Sequence, residues 1–292
     1  MLSGIPIPKD AVRPPETVLV NITPQETRVA VLEENNICEL HIERNSGHSL
    51  VGNIYLGVVK RVLPGMQSAF IDIGLERAAF LHIVDVLEQR RNPDETQRIE
   101  HMLFEGQSVL VQVIKDPINT KGARLSTQIS LAGRFLVHLP QEDHIGISQR
   151  IEDDAERSNL RERLNNLLPE NACHGYIIRT NAENASDAQL QSDINYLTKV
   201  WEHIQKQAKI QPPETLLYQD LPLSLRVLRD MFSLDTHKIL VDSTENHRRM
   251  TQFAEQYVQG ALGKIELFKG ERPLFETHNI EQEIARALQP RV

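Results

Sequence analysis

The sequence predicts a mixed α/β protein of several domains, in which a small β-barrel interrupts a domain whose two halves lie at opposite ends of the chain. Three observations lead to this prediction. The 292 residues exceed what one domain of about 150 residues needs. Short strand-like segments follow one another between residues 45 and 127, as a small barrel requires. Residues 222–292 instead alternate helices and strands, while residues 17–44 hold strands alone.

Residues 1–16 are expected to form a disordered extension, because four prolines fix φ and remove backbone donors there. Strand periodicity begins at residue 17 and includes a hairpin that returns through Ile37 to Glu43. In the returning strand Cys38, Leu40 and Ile42 alternate with charged or polar residues, which is typical of a half-buried strand. We therefore expect the face that carries these three side chains to lie in a core.

The barrel segment spans residues 45–127. Its strands are expected over residues 52–62, 67–73, 78–81, 108–114 and 123–125. An OB-fold is the natural candidate for a barrel of this size. The polar segment from Arg90 to Arg98 interrupts the pattern and is interpreted as a mobile insertion.

Residues 128–221 are predicted to form a further small α/β region. It holds helices over 154–168 and 187–209, with a strand over 175–179 between them. Ser186 and Gln189 have the spacing of a capping box at the start of the longer helix. Residues 222–292 are predicted to hold helices over 223–232, 245–256 and 279–288, and strands over 238–242 and 264–268. Because the strands of residues 17–44 lack partners of their own, we expect them to pair with this C-terminal block.

Composition narrows the function classes. Hydrophobic residues make up 40% and charged residues 25%, as in ordinary globular proteins. No apolar run approaches the roughly 18 residues of a membrane span, and no leader is visible, so a cytoplasmic protein without membrane contact is expected. Cys38 and Cys173 are isolated, which indicates neither a disulfide framework nor a cysteine zinc site, and both are expected to be buried. The net charge of −8 argues against a global positive field for nucleic acid.

The sequence lacks the motifs of several enzyme classes. It contains no nucleophile elbow, no phosphate-binding loop and no dinucleotide fingerprint. Neither a His-Glu-x-x-His helix nor a set of converging carboxylates is evident. We therefore predict no catalytic residue and no metal ligand in this chain.

Two sets of residues are candidates for binding RNA. Phe70 and Phe80 lie on successive barrel strands, where aromatic rings can stack on bases, and Lys121 in the following turn can contact a phosphate. The alternative is that both rings simply fill the barrel, and nine basic against nine acidic residues in 45–128 leave the choice open. Arg179 and Thr180 end a predicted strand and offer donors that suit a phosphate, although a surface salt bridge is the more common role of such an arginine.

Several ordered motifs together resemble the bacterial ribonuclease E/G family, and its ribonuclease G branch more closely than its ribonuclease E branch. The similarity extends over residues 17–292. The motifs that carry it are Gly52 to Gly57, Arg61 to Gly74, Ala79 to His82, Thr120 to Leu125, Ile129 to Val137, Gly146 to Arg150 and Ile178 to Thr180.

The resemblance implies an architecture with defined boundaries. It implies a split ribonuclease H-like domain over residues 17–44 and 222–292, an inserted OB-fold of the S-one type over 45–127, and a small α/β sensor domain for the RNA 5′ end over 128–221. It also implies a magnesium-dependent endoribonuclease that cuts single-stranded, AU-rich RNA in ribosomal RNA processing and mRNA decay, and that prefers a 5′ monophosphate. The family's phosphate-binding residues correspond to Arg179, Thr180, Gly133 and Val137, and its barrel RNA contacts to Phe70, Phe80 and Lys121.

The chain departs from the family pattern in two respects. The DNase I-like domain, whose two aspartates hold magnesium, and the Cys-Pro-x-Cys motif, which binds zinc between the subunits of a homo-oligomer, do not occur in the 292 residues. Gln149 stands where some relatives have arginine. This chain alone is therefore expected to bind RNA and sense its 5′ end without cutting it. The alternative is an RNA-binding adaptor with no catalytic role.

Overall fold

The computed structural model describes residues 15–44, 49–86, 98–169, 175–232 and 235–287. Residues 1–14 of the expected extension, residues 90–97 of the polar insertion and Cys173 lie outside the described residues. The chain divides into two compact units, one of residues 1–48 and 221–292 and one of residues 49–220. None of the described helices is long and apolar enough to cross a membrane.

The secondary structure is mixed. The strands of the described residues are β1 (Glu16–Ile22), β2 (Glu26–Glu33), β3 (Asn36–Arg44), β4 (Ile54–Leu63), β5 (Ser68–Asp72), β6 (Ala79–His82), β7 (Ser108–Lys115), β8 (Arg124–Ser126), β9 (Leu131–Ala132), β10 (Leu136–Leu139), β11 (Ile145–Ile147), β12 (Gly175–Ile178), β13 (Thr215–Tyr218), β14 (Thr236–Val241) and β15 (Ile265–Leu267). The α-helices are α1 (Ile99–Met102), α2 (Asp154–Leu167), α3 (Asp187–Ile210), α4 (Leu223–Arg226), α5 (Thr244–Tyr257), α6 (Leu274–Thr277) and α7 (Ile280–Ala287). The predicted helix over 223–232 is α-helical only in α4 and continues as a π-helix over Val227–Met231.

The unit formed by the two ends of the chain contains a five-stranded sheet in the order β15-β14-β1-β2-β3. Strands β1, β2 and β3 are antiparallel to one another, while β14 runs parallel to β1 and β15 parallel to β14. The predicted pairing of the N-terminal strands with the C-terminal block is therefore confirmed. Alternating apolar residues of β1 and β2 pack against Leu274 and Phe275 of α6 and Ile280 of α7.

Strand β3 forms, but the prediction that its apolar face is buried is wrong. Leu40 is 37% exposed and Ile42 is 52% exposed, and Cys38 is exposed as well, contrary to the prediction. The reason is that β3 is an edge strand. The core on that side of the sheet is built by β1 and β2 with α6 and α7, and Ile37 is the β3 residue that packs against it.

In the second unit, strands β4, β5, β6, β8 and β7 form a barrel that closes through pairing of β7 with β4. This closed five-stranded barrel is compatible with an OB-fold. Its interior is filled by small and branched side chains, among them Ala69, Ile71, Leu81, Val111 and Leu125.

The chain returns to the barrel through β13, which the sequence analysis did not predict. Strand β13 pairs antiparallel with β4. Directly before it, the Glu214 backbone N–H donates to the Leu56 carbonyl oxygen at 2.6 Å. The Glu214 carboxylate lies 2.8 Å from the Lys60 ammonium group, so the segment is held by both backbone and side chain.

A four-stranded sheet in the order β11-β12-β10-β9 forms the rest of the second unit together with α2 and α3. Helix α3 begins with the predicted capping box between Ser186 and Gln189. The buried Gln112 of the barrel links this region to β7. Its amide donates to the carbonyl oxygens of Gly52 and Ser130 at 2.9 Å and accepts from the Ser130 backbone N–H at 2.8 Å.

Candidate nucleic-acid interface

Phe70 and Phe80 form a pair on the outer face of the barrel. They lie directly opposite each other on the antiparallel strands β5 and β6, and their ring centroids are 6.1 Å apart in an edge-to-face arrangement. Because side chains alternate along a strand, Ala69 and Ile71 point inward and are fully buried, while both phenylalanines are half-buried on the outside. The interpretation that these rings fill the barrel is therefore wrong.

Lys121 lies in the turn that leads to β8 and is exposed. Ile118 and Lys121 exchange backbone hydrogen bonds of 3.2 and 2.9 Å across this turn. Gly122 then packs so closely on Ala78 that a Cβ atom would overlap the Ala78 carbonyl oxygen. The Phe80 N–H donates to the Ala123 carbonyl oxygen at 2.7 Å, so the turn bearing Lys121 is fixed beside the strand that carries Phe80.

Arg179 follows β12 and reaches the loop between β9 and β10. Its backbone N–H donates to the Phe135 carbonyl oxygen at 2.8 Å, and its Nη1 donates to the carbonyl oxygens of Gly133 and Arg134. In the described part of the chain, this guanidinium therefore donates to backbone carbonyls and not to a carboxylate. The salt-bridge interpretation of Arg179 is not what these contacts show.

The remaining residues predicted for the same site lie on neighbouring strands. Val137 in β10 is opposite both Ala132 of β9 and Ile177 of β12, and it is half-buried. Thr180 directly follows Arg179 and is also half-buried. The fold therefore brings the segment of Gly133 and Val137 next to that of Arg179 and Thr180, although more than forty positions separate the two segments in the sequence.

Asp193 is a residue of this site that the sequence analysis missed. It lies on α3 with 7% of its surface exposed, and its carboxylate accepts the backbone N–H groups of Arg134, Phe135 and Leu136 at 3.0, 2.8 and 2.8 Å. The signal in the sequence is an acidic residue three positions after Leu190, within the apolar stripe of the helix. Its charge is compensated by three donors from one loop, which fixes that loop's conformation.

The other end of the site is formed by β11. Ile147 pairs with Ile178, and the Ser148 N–H donates to the Ile178 carbonyl oxygen at 2.8 Å. Gln149 and Arg150 follow at once and are exposed. Gln149, the position at which the resemblance implies a difference from some family members, therefore lies in the segment that follows β11 beside Arg179.

Potential metal ligands are not clustered in the described residues. No group of three His, Cys, Asp or Glu side chains there could hold a metal ion. Asp242, at the end of β14, accepts from the Asn21 amide at 2.5 Å and from the Ile22 N–H at 2.9 Å.

The protein is therefore of the mixed α+β class and contains an OB-like module, a closed five-stranded barrel with aromatic rings on its outer face. A second sheet carries Arg179, whose guanidinium donates to backbone carbonyls of the loop between β9 and β10. Residues 130–292 match the family model described as "Ribonuclease E/G family". This match covers more than half of the chain, and the chain belongs to the ribonuclease E/G family.

Individual relatives agree with this assignment. The chain is 42% identical over 282 residues to ribonuclease G of Escherichia coli and 40% identical to ribonuclease G of Haemophilus influenzae. It is 37% identical over 275 residues to ribonuclease E of a Nostoc species. These alignments cover 94%, 94% and 93% of this chain, but only 57% of each ribonuclease G and 39% of the ribonuclease E. The chain therefore spans little more than half the length of the ribonuclease G relatives.

Proposed function

We propose that this chain is the RNA-binding and 5′-monophosphate-sensing portion of a single-strand-specific endoribonuclease. The observation that carries the proposal is the outward-facing Phe70 and Phe80 pair beside Lys121. Aromatic rings on an OB surface stack on successive bases of a single strand, and each stacked base contributes about 1–3 kcal/mol. A buried pair would offer no such platform.

The second contact is a 5′ phosphate at Arg179 and Thr180. The Arg179 guanidinium is already oriented by the carbonyls of the loop, and it retains donors that suit a phosphate. The Thr180 hydroxyl adds a donor beside it. Backbone contributions from Gly133 and Val137 complete the proposed site, although the Gly133 N–H itself donates to the Leu136 carbonyl oxygen at 2.8 Å.

The two contacts would act together by positioning. A phosphate held at Arg179 raises the effective concentration of the same strand at the barrel, and this orients the RNA without any chemistry by these residues. The order β3-β2-β1-β14-β15 of the other sheet is compatible with the split ribonuclease H-like domain that the resemblance implies. Magnesium and zinc would be held by residues that this sequence does not include.

Binding measurements test the proposal. Fluorescence anisotropy compares one short AU-rich RNA with a 5′ monophosphate and with a 5′ hydroxyl, at fixed salt. We expect tighter binding of the monophosphate and loss of this preference in Arg179→Ala, while Arg161→Gln on the exposed face of α2 leaves the preference unchanged. Equal affinity for both RNAs in the unaltered chain would contradict end sensing.

A cleavage assay tests the remaining part of the proposal. The purified chain is incubated with labelled single-stranded RNA and magnesium, and we expect intact RNA. Cleavage that persists after stringent removal of host nucleases, and that is lost in Phe70→Leu, would show that the chain is itself a nuclease.

A further inference from the structure

Two arginines extend the aromatic pair into a row across four barrel strands. Arg61 of β4 is directly opposite Phe70, Phe70 is opposite Phe80, and Phe80 is opposite Arg124 of β8. Directly opposed residues of a regular ladder project from the same face of a sheet. Strand β4 has a bulge between Val59 and Arg61, but Val59 and Val62 on either side pack in the barrel core while Lys60 and Arg61 are exposed, so Arg61 also lies on the outer face. The row therefore reads arginine, phenylalanine, phenylalanine, arginine, and with strands about 4.8 Å apart it is roughly 14 Å long.

We infer that Arg61 and Arg124 contact RNA phosphates on either side of the stacked bases. The RNA strand would then cross the barrel surface perpendicular to strands β5 and β6. This inference rests on the proposed RNA-binding function of the aromatic pair. It adds two phosphate contacts to that site and specifies the axis along which the RNA lies on the barrel.

Arg61 has a side chain available for a ligand. It is exposed, and its side chain forms no hydrogen bond or ion pair with the described residues. The preceding residue differs in this respect. Lys60 lies 3.2 Å from the Asp72 carboxylate and 2.8 Å from the Glu214 carboxylate, and hydrogen bonds to both raise its pKa. Two adjacent exposed cations on one strand therefore differ in their partners, because Lys60 is ion-paired with two carboxylates and Arg61 is not.

Arg124 is held in place by a buried acid. Its Nε and Nη2 donate to one carboxylate oxygen of Asp85 at 2.8 and 2.7 Å, and the Asp85 side chain is only 5% exposed while that of Arg124 is 38% exposed. The Asp85 carbonyl oxygen in turn accepts from the Ser126 hydroxyl and the Thr127 N–H, both at 3.0 Å. The guanidinium keeps further donors that face outward, and a fixed side chain loses little entropy when it binds a phosphate.

Salt dependence separates phosphate contacts from stacking. Each phosphate neutralised on a single strand contributes about −0.7 to the slope of log K against log salt, whereas stacking contributes little to it. We expect Arg61→Gln to make the slope less steep by about 0.7. Lys60→Gln removes the same charge one residue away and is expected to leave the slope unchanged.

Arg124 needs a paired design, because its removal alone would leave an unpaired carboxylate in the barrel wall. The double variant Asp85→Asn/Arg124→Gln is compared with the single variant Asp85→Asn. We expect the salt slope of the double variant to be less steep by about 0.7. Arg124→Lys keeps the charge and should keep the slope. Near-ultraviolet circular dichroism verifies that each variant is folded.

The outcomes distinguish the inference from the proposed function. Suppose that Phe70→Leu and Phe80→Leu weaken RNA binding about tenfold while the arginine variants keep the salt slope of the unaltered chain. The phosphate contacts assigned to the arginines are then wrong, and stacking on the aromatic pair is supported. If Lys60→Gln makes the salt slope less steep by as much as Arg61→Gln does, the effect is one of general charge, and the phosphate contact assigned to Arg61 is wrong. If neither the aromatic nor the arginine variants change binding, the proposed function fails as well.

Discussion

The carboxylate of Asp193 occupies the space beside Gly133, where a Cβ atom would lie 2.5 Å from both of its oxygens. The close approach lets one carboxylate accept three consecutive backbone N–H groups of the loop that also meets Arg179. The Asp193 carboxylate on α3 can occupy this position only because residue 133 is a glycine, although the two residues are sixty positions apart in the chain.

Replacing Asp193 by Asn should loosen this loop. An amide presents an NH₂ group to donors that need acceptors, and each unsatisfied buried N–H costs about 1–3 kcal/mol. We expect a lower urea midpoint and a smaller preference for 5′-monophosphorylated RNA. Glu202→Gln, an exposed change on the same helix, is the matched control. Unchanged stability and unchanged preference in Asp193→Asn would contradict the role given to this carboxylate.

Gln112 is expected to stabilise the connection between the barrel and the neighbouring sheet. The variant Gln112→Met keeps the volume but leaves the backbone groups of Gly52 and Ser130 without their partner, at a cost of about 2–3 kcal/mol in the free energy of unfolding. Denaturant unfolding followed by Trp201 fluorescence measures the loss. Gln205→Met, at an exposed position of α3, should cost far less, and equal costs would refute the prediction.

Substitutions on the exposed face of β3 are expected to have little effect on the free energy of unfolding. Leu40→Gln removes an apolar side chain that is already 37% exposed, so stability should change by no more than about 0.5 kcal/mol. Leu19→Ala, on the buried part of the same sheet, should cost about 2–5 kcal/mol. Thermal unfolding compares them, and a large loss in Leu40→Gln would indicate that β3 is covered.

His278 makes the stability of its unit depend on pH. Burial, and to a smaller extent the positive charge of Lys238, lowers the pKa of His278. The folded state therefore favours the neutral ring, and this contribution is present above the unfolded pKa of about 6.5 and is lost as the pH falls from there towards the folded pKa. Hydrogen exchange of β14, corrected for intrinsic rates, should show weaker protection at pH 5.5 than at pH 7.5. His278→Gln should reduce that difference, and an identical pH response in both proteins would rule out this histidine as the cause.

Local sequence patterns were sufficient for most elements of the fold. Helix α3 begins at its capping box because Ser186 and Gln189 satisfy backbone groups of the same turn. The barrel strands follow from short strand-like runs separated by turn residues, and the family from ordered motifs at Phe70 to Ile73 and at Arg179. These signals act between residues close in sequence, so the sequence alone contains them.

The tertiary structure decided what depends on neighbours remote in the chain. Alternation in β3 predicted two unlike faces, but whether the apolar face is covered depends on how far α6 and α7 extend over the sheet, and in this strand they reach only Ile37. The sequence could not determine whether Phe70 faces the barrel interior, because closure through β4 and β7 defines inside and outside. Asp193 and Gln112 were missed because their partners are backbone groups, which carry no mark in the sequence.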